Sequence, residues 1–306
     1  MQLSVIIPTK NRGEVFKETL AAVEAATAHL DAEIIVINDS KTSQPLIPAL
    51  YRHVTLFDNP KSGVASARNL GASLAKADLL LFLDDDILVS RASIDHILDL
   101  HRCYPNACFN VNWEYPPAAQ QEMEQTQFGR FMKTHGMTSF KGWYNDPSWR
   151  DNMLFSSRSV ASFHLSVMRD DFRKTKGYNE QFPNAGFEDY DFPLQLRKAG
   201  LSFYIDTRIT IFHNEADRLR LSNWLDSQER RAGTRRVAVD LGYDELRIVY
   251  GLGKKIILSL IAFFSPLLLV MLTFIPNRKR FDPAYFMLLG AIQAGRIYKG
   301  YTMRNR

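Results

Sequence analysis

The sequence predicts an α/β protein, with a doubly wound, mostly parallel sheet followed by a helical C-terminal region. Three observations predict it. Short apolar runs alternate with helix-period runs from Leu3 to Leu83, the order that builds a parallel sheet under helices. One run, Leu79-Leu80-Leu81-Phe82-Leu83, is wholly apolar and ends directly in Asp84-Asp85-Asp86. That is the pattern of a strand buried on both faces whose carboxyl end meets a ligand site. Residues 256–276 are almost wholly apolar, about the length that a bilayer crossing needs.

Taken in order, residues 3–7 form a first strand closed by Pro8. Helical spacing over 13–27 puts Val15, Phe16, Leu20 and Val23 on one side. Residues 33–37 are the second strand, ending in Asn38-Asp39-Ser40, and 54–57 the third. Residues 62–75 predict a helix rich in small side chains, able to pack close to the sheet. The strand ending in the acidic triplet follows. Right-handed crossovers bring the loops after these strands to one edge, which gathers Thr9, Asn11, Asp39 and Arg68 with the triplet.

From 113 to 158 the periodicity is lost. This stretch carries Trp113, Trp143, Tyr144, Trp149 and Pro116-Pro117. Two readings stand: a functional segment whose rings stack on a sugar or hold an acceptor, or a lid or second small core. A strand is expected over 161–168 and a short helix and turn over 169–177. A helix starts at Glu188-Asp189. Two further strands, 201–205 and 208–212, end at His213.

Three adjacent carboxylates repel one another and are costly at a strand end unless a cation neutralises them. Oxygen ligands favour Mg2+ or Mn2+, which also accept substrate phosphates; a solvated acidic turn or helix cap is the alternative. The planar fork of Arg68 suits a diphosphate. Glu188 and Asp189 either complement a helix dipole or supply a general base to a hydroxyl nucleophile. His213 is either a structural residue or a third metal ligand. Neither Gly-x-Gly-x-x-Gly nor Gly-x-x-x-x-Gly-Lys-Ser/Thr occurs, which disfavours dinucleotide and P-loop sites.

The chain has 306 residues and a net charge of +5, a balance suited to nucleotide-sugar phosphates or acidic lipid headgroups. No zinc-finger, RNP or homeodomain pattern is present, so no nucleic-acid partner is expected. Two cysteines, Cys103 and Cys108, fit neither a disulfide framework nor a zinc site and point to a reducing compartment. Strand signals begin at Leu3, so no secretory signal is expected and the catalytic part is expected in the cytoplasm.

Five segments occur in order: Ser4-Val5-Ile6-Ile7-Pro8-Thr9-Lys10-Asn11-Arg12, Ile35-Val36-Ile37-Asn38-Asp39-Ser40, Gly63-Val64-Ala65-Ser66-Ala67-Arg68-Asn69-Leu70-Gly71, Leu83-Asp84-Asp85-Asp86, and Gly186-Phe187-Glu188-Asp189-Tyr190-Asp191 running on to Arg197. Over about residues 3–214 the sequence resembles the family 2 glycosyltransferases, whose fold is the Rossmann-like GT-A type. The fourth segment matches that family's DxD motif and the fifth its ED motif. The resemblance implies inverting transfer from a nucleotide-diphosphate sugar, with a UDP-sugar as the leading donor. The transfer would be a metal-assisted single displacement onto a glycan or lipid-linked acceptor of the cell envelope. Nucleotide-sugar contacts are implied at Pro8, Thr9, Asn11, Arg12, Asp39, Arg68, Asp84 and Asp85. Mn2+ or Mg2+ is implied at Asp84, Asp86 and His213, the last from a histidine found downstream in some members. Asp189 is implied as the base, with Glu188 helping to place the acceptor.

Two segments depart from the family pattern. Asn38-Asp39-Ser40 stands where Asp-Asp-Gly-Ser is usual, and Gly177-Tyr178-Asn179-Glu180 where Gly-Phe-Asp-Glu is usual. The competing reading is an inactive GT-A-fold binding or scaffold protein at the membrane, which loss of a metal carboxylate would mark. Nucleotidyl transfer would share the sheet and the metal, but the basic Gly-rich loop usual after its first strand is missing.

The expected organisation is a catalytic domain over 1–214, split into a nucleotide-binding half (1–112) and an acceptor-binding half (113–214), then a helical region over 215–306. Residues 215–250 read as amphipathic and basic, with Arg230, Arg231, Arg235 and Arg236 crowded together; the basic face is either solvated or held against anionic lipid. The run 256–276 either spans a membrane or returns as a hairpin bent at Ser265-Pro266. Lys254-Lys255 and Arg278-Lys279-Arg280 flank it, which favours the hairpin with both ends inside. Residues 281–298 form a second amphipathic stretch. The expected location is the cytoplasmic face of the cell (inner) membrane.

Overall fold

A computed structural model of the chain describes residues 1–49, 51, 53–182, 184–215 and 219–303. The chain divides into two compact units, residues 1–116, 139–183 and 188–215 in one and residues 117–138, 184–187 and 216–306 in the other. Residues 117–138, inside the half expected to hold the acceptor, therefore group with the C-terminal helices.

The first unit opens with β1 (Leu3–Thr9), α1 (Glu14–Thr27), β2 (Ala32–Asn38), β3 (Val54–Asp58), α2 (Val64–Leu74) and β4 (Leu79–Leu83), in the order expected. Next come β5 (Ile87–Leu88), α3 (Arg91–Cys103) and β6 (Ala107–Glu114). After α4 (Pro117–Glu124) and α5 (Gln127–Thr134), which belong to the second unit, the first resumes with α6 (Phe140–Tyr144), β7 (Leu154–Ser156) and β8 (His164–Met168). It ends with α7 (Arg169–Arg173), α8 (Glu188–Lys198) and β9 (Ser202–His213). One sheet runs β3-β2-β1-β4-β8-β6-β9-β5, with β7 beside β9. From β3 to β4 it is parallel. Beyond β4 it is mixed: β8 is antiparallel to both β4 and β6, whereas β6 and β9 run parallel.

Every residue of β1 and β4 is buried, because helices cover both faces of the sheet there. On one face Ile6, Leu80 and Phe82 pack with Ala65, Ala67 and Ala72 of α2 and Phe192 of α8. Burial of each of the large side chains Ile6, Leu80, Phe82 and Phe192 stabilises by about 1.5–3 kcal/mol. The small residues of α2 serve close packing, as expected: a Cβ on Gly71 would lie 2.3 Å from Ile6 Cγ2.

Three expectations need correction. The two strands expected over 201–205 and 208–212 are one strand, β9, with a register shift against β6 opposite Val111 and Asn112. Asp206 still pairs with Val111 and Thr210 with Asn112, so Thr207, Arg208 and Ile209 form that bulge. They look like a break in sequence, but buried Asp206 accepts the Arg208 backbone N–H at 3.0 Å and meets His96 at 2.7 Å. The strand expected over 161–168 begins only at His164, because the Asn110 side chain captures the backbone of Ala161 (2.7 and 2.8 Å) in place of a ladder. And 113–158 holds helices of five to eight residues, too short to display a period. Phe140, Trp149 and Phe155 of this stretch form an aromatic cluster with Phe163, with centroids 5.0–5.6 Å apart. The small-core reading thus holds for Trp149, whereas Trp143 is 47% exposed.

In the second unit, α9 (Leu221–Asp240), α10 (Leu252–Thr273) and α11 (Asp282–Thr302) follow α4 and α5. Residues 216–218, part of the 215–250 stretch, lie outside the described residues. The hairpin expected at Ser265-Pro266 does not form: α10 runs unbroken through Pro266. One proline removes one ladder bond, while Leu258, Ser265 and Leu272, seven residues apart, form one buried stripe along the helix.

Candidate active site

The carboxyl ends of β1, β2 and β4 meet at one edge of the sheet, and the acidic triplet turns there under three different sets of partners. Asp85 points inward. Its two oxygens accept from Thr9 Oγ1 at 2.7 Å and Arg12 Nε at 3.2 Å. Arg12 reaches on to Asp86 through Nη2, so one guanidinium bridges two adjacent carboxylates. Asp84, 34% exposed, accepts instead from Arg68 Nη2 at 2.8 Å.

Arg68 comes from α2 and is 2% exposed. Its other amino group donates to Glu188 Oε1 at 3.1 Å and lies 3.6 Å from Asp189 Oδ1, so it joins the triplet to the start of α8. Burial opposes the Arg68 charge, but Asp189, Asp84 and Glu188 outweigh it and hold the group firmly protonated. Below it lies the Tyr178 ring, 5.2 Å away. That ring is stacked on Phe192 at 4.0 Å, and the Tyr178 backbone is clasped by the Asn69 amide at 2.8 and 2.9 Å. Asn69 is the residue after Arg68, so the third sequence segment supplies both the cation and its brace. Glu188 is fully buried. Asp189 is 27% exposed, and its Oδ1 has no hydrogen-bond partner.

Asp86 is met from the far side of the sheet. The short strand β5, directly after the triplet, pairs with the end of β9 and sets Ile87 opposite His213. His213 Nε2 then lies 3.1 Å from Asp86 Oδ1 and 3.6 Å from Glu215 Oε1. Asp86, His213 and Glu215 each offer a ligand atom within 4.8 Å of the others. The rings of Trp113 and Tyr115 wall His213 at 4.9 and 6.2 Å. Burial lowers the His213 pKa, but Glu215 and Asp86 outweigh it and push it up to about 9. Its Nδ1 is buried without a partner. A half-buried histidine beside two carboxylates is a donor set that fits Mn2+ or Mg2+ in charge and, through the nitrogen, favours Mn2+. Of the three residues expected to hold metal, Asp86 and His213 come together, while Asp84 is engaged by Arg68. Glu215 was missed; its signal was the two-residue spacing from His213, which places both on one side of an extended chain.

An open cleft of about 450 Å3 lies beside the triplet, lined by Thr9, Asn11, Arg12, Lys17, Asn38 and Gln44 among others. Asn11 accepts from Ser40 and Ser43 at 2.5 and 2.9 Å. Asp39 is turned away from that lining: it accepts from Gly63 N at 2.9 Å, Asn59 at 2.7 Å and Lys10 at 2.9 Å. It thereby ties β2 to the start of α2. Pro8 is buried within β1, opposite Ile37.

The validoxylamine A glucosyltransferase of Streptomyces hygroscopicus subsp. jinggangensis is 26% identical over 228 residues, covering 65% of this chain and 52% of the relative. The chain thus spans about half the length of that relative. The poly(ribitol-phosphate) beta-N-acetylglucosaminyltransferase TarP of Staphylococcus aureus is 37% identical over 102 residues, 31% of each chain. The solved structure of GalNAc-T7 with UDP, GalNAc and Mn2+ superposes over 69% of this chain and 43% of its own, with a TM-score of 0.51 at 15% identity. The two share a GT-A-type fold. The model of glycosyl transferase family 2 matches residues 4–174, from β1 through the triplet to α7, and by that match the chain belongs to glycosyl transferase family 2.

Proposed function

We propose that the chain transfers a sugar from a nucleotide-diphosphate sugar, a UDP-sugar in the leading case, to a glycan or lipid-linked acceptor of the cell envelope, with inversion at the anomeric carbon. The observation that carries this reading is the Arg68 bridge. It holds the acidic triplet and the Glu188-Asp189 pair at one sheet edge, so a leaving-group site and a base share one floor.

In this reading the nucleoside occupies the cleft of Thr9, Asn11 and Asn38, and Arg12 and Lys17 face the diphosphate. Arg68, tied to three carboxylates, acts as a positioning residue. Asp85 does the same for Thr9 and Arg12, and Asp39 for the start of α2. Asp86, His213 and Glu215 would hold a divalent cation, with Asp84 nearby; such a cation offsets the charge that gathers on a departing diphosphate. Asp189 takes the proton of the acceptor hydroxyl. That oxygen then bonds to the anomeric carbon from the face opposite the diphosphate, whose bond to the sugar breaks with the electron pair leaving on oxygen. One displacement inverts the configuration. The site of action in this reading is the cytoplasmic face of a membrane; the exposed apolar helix α10 and the similarity to TarP, named as a poly(ribitol-phosphate) transferase, support the membrane and the cell-envelope acceptor and leave the face a proposal.

The test is release of nucleoside diphosphate from a panel of nucleotide-sugars with Mn2+ present, first without and then with envelope glycan acceptors. Metal-dependent release from one donor, lost in Asp189→Asn, is the expected result. Release from none of them, or release unaffected by Asp189→Asn, overturns the proposal.

A further inference from the structure

The helix α10 shows two opposite stripes. Leu258, Ser265 and Leu272 are buried against α11. Across the helix Ile256, Leu260, Phe263, Leu267, Val270 and Phe274 recur at spacings of four and three, and each is 52–79% exposed. A helix that packs on one stripe and shows a continuous apolar face elsewhere is not the core helix of a soluble domain.

Both ends of this face are basic. Lys254 and Lys255 precede it, and Arg278, Lys279 and Arg280 follow; all five are exposed. Lys254, Lys255, Arg278 and Arg280 make no ion pair with a carboxylate among the described residues; Lys254 and Arg280 lie over the Tyr250 and Phe281 rings at 5.9 and 4.8 Å. Apolar length between unpaired cations is complementary to acyl chains bordered by anionic headgroups.

The neighbours of α10 decide how it meets such a surface. The two helices α10 and α11 run antiparallel in close contact: a Cβ on Gly295 would lie 2.7 Å from Ile261 Cγ2, and Tyr250 meets both Tyr298 and Tyr301. The opposite side of α11 is charged and engaged. Arg296 pairs with Glu229 of α9 at 2.7 Å and Lys299 with the same residue at 2.7 Å, while Asp282 is bonded by Arg130 of α5 at 2.7 Å through two oxygens. Were α10 to cross a bilayer, α11 would enter with it, and these ion pairs would sit in hydrocarbon, where charge is costly. The amphipathic element is therefore the packed layer, with α10 as its apolar face and α9 and α11 as its polar body.

We propose that α10 lies in the plane of an anionic lipid leaflet, its Ile256–Phe274 stripe in the acyl boundary and its basic ends on the headgroups, and that it does not cross. This rests on the membrane association proposed above and is separable from it by experiment.

The full chain carrying Cys103→Ser is given single cysteines at 256, 263, 267 or 274, each labelled with an environment-sensitive fluorophore. Cys108 is buried and stays. The proteins are mixed with phosphatidylethanolamine–phosphatidylglycerol vesicles containing lipids brominated near the carbonyl or at the chain end. Similar quenching at all four positions, strongest from the shallow bromines, is the expected result. Deep quenching at 263 and 267 with shallow quenching at 256 and 274 means a span and overturns the in-plane proposal while keeping the membrane. No partitioning into any vesicle, with the stripe protected in a dimer of this chain, overturns both. Glutamine at 254, 255, 278 and 280 lowers partitioning about fivefold per charge removed; unchanged partitioning overturns the anionic headgroup contact.

Discussion

Arg68 donates to Glu188 at 3.1 Å across 120 residues of sequence, and Glu188 is fully buried. A buried carboxylate that loses its cation costs about 3–5 kcal/mol. Arg68→Met is therefore expected to lower Tm by roughly 10 °C. Adding Glu188→Gln removes the stranded charge, so the double variant should be more stable than Arg68→Met alone. Thermal unfolding of the two checks this; a double variant less stable than the single one would show that the charge is neutralised elsewhere.

The neighbouring Asp189 behaves differently. Its Oδ1 makes no hydrogen bond, and its nearest cation is 3.6 Å away. Asp189→Asn leaves Asp84 and Glu188 on Arg68, so it should cost less stability than Arg68→Met while lowering kcat by about 100- to 10,000-fold. Glu188→Gln should lose stability as well as rate. Parallel measurement of Tm and transfer rate separates the roles; a stable, fully active Asp189→Asn moves the base elsewhere.

How much of this was legible in sequence follows from the range of each interaction. The parallel strands and the strand ending in the triplet were readable because β1 and β4 are buried on both faces, which leaves an unbroken apolar run. Arg68 and the Asp84-Asp85-Asp86 triplet were readable as residue types but not as partners. Nothing local says that Asp84 goes to Arg68, Asp85 to Thr9 and Arg12, and Asp86 to His213. Those choices are made by side-chain direction at a turn and by β5 pairing with a strand more than a hundred residues away. Asp39 illustrates the same limit: a carboxylate at a strand end reads as a ligand group, yet its oxygens are used up on Gly63, Asn59 and Lys10. The proline in α10 misled for a related reason, since its cost is local whereas the packed stripe extends along the helix.

The cation site makes its own prediction. Glu215→Gln should weaken Mn2+ binding at least about tenfold, because Glu215 stands with Asp86 and His213. Asp86→Asn should weaken it as much, and Asp84→Asn less, since Asp84 is held by Arg68 at 2.8 Å. Free Mn2+, followed by its paramagnetic resonance during titration, reads all three. Equal loss in Asp84→Asn and Asp86→Asn would place the ion between the two aspartates and away from Glu215.

Two histidines, His164 buried in the sheet and His101 half-buried on α3, set an acid limit. His164 in β8 is fully buried with neither ring nitrogen bonded, and burial lowers its pKa from 6.5 to about 4. His101 of α3, 3.0 Å from Ser166 Oγ, is likewise lowered by burial to about 4, against a smaller opposing pull from Asp171. The folded pKa values lie below the unfolded one. As pH falls from about 6.5 toward 4 the unfolded chain takes up protons that the folded chain refuses at these two rings, so their contribution to stability declines through that window and is constant above it. Each histidine contributes up to about 3 kcal/mol to the decline. Buried Asp206 is different: burial raises its pKa, but Arg208 and His96 outweigh that and hold it below 3.8, so its contribution is lost only at lower pH. Urea unfolding midpoints measured from pH 7.5 to 4.5 should fall steadily below pH 6.5. His164→Leu should halve the slope while keeping the buried volume apolar. A slope unchanged in that variant would mean that the ring takes up a proton in the folded protein, and that a partner for it exists inside the sheet.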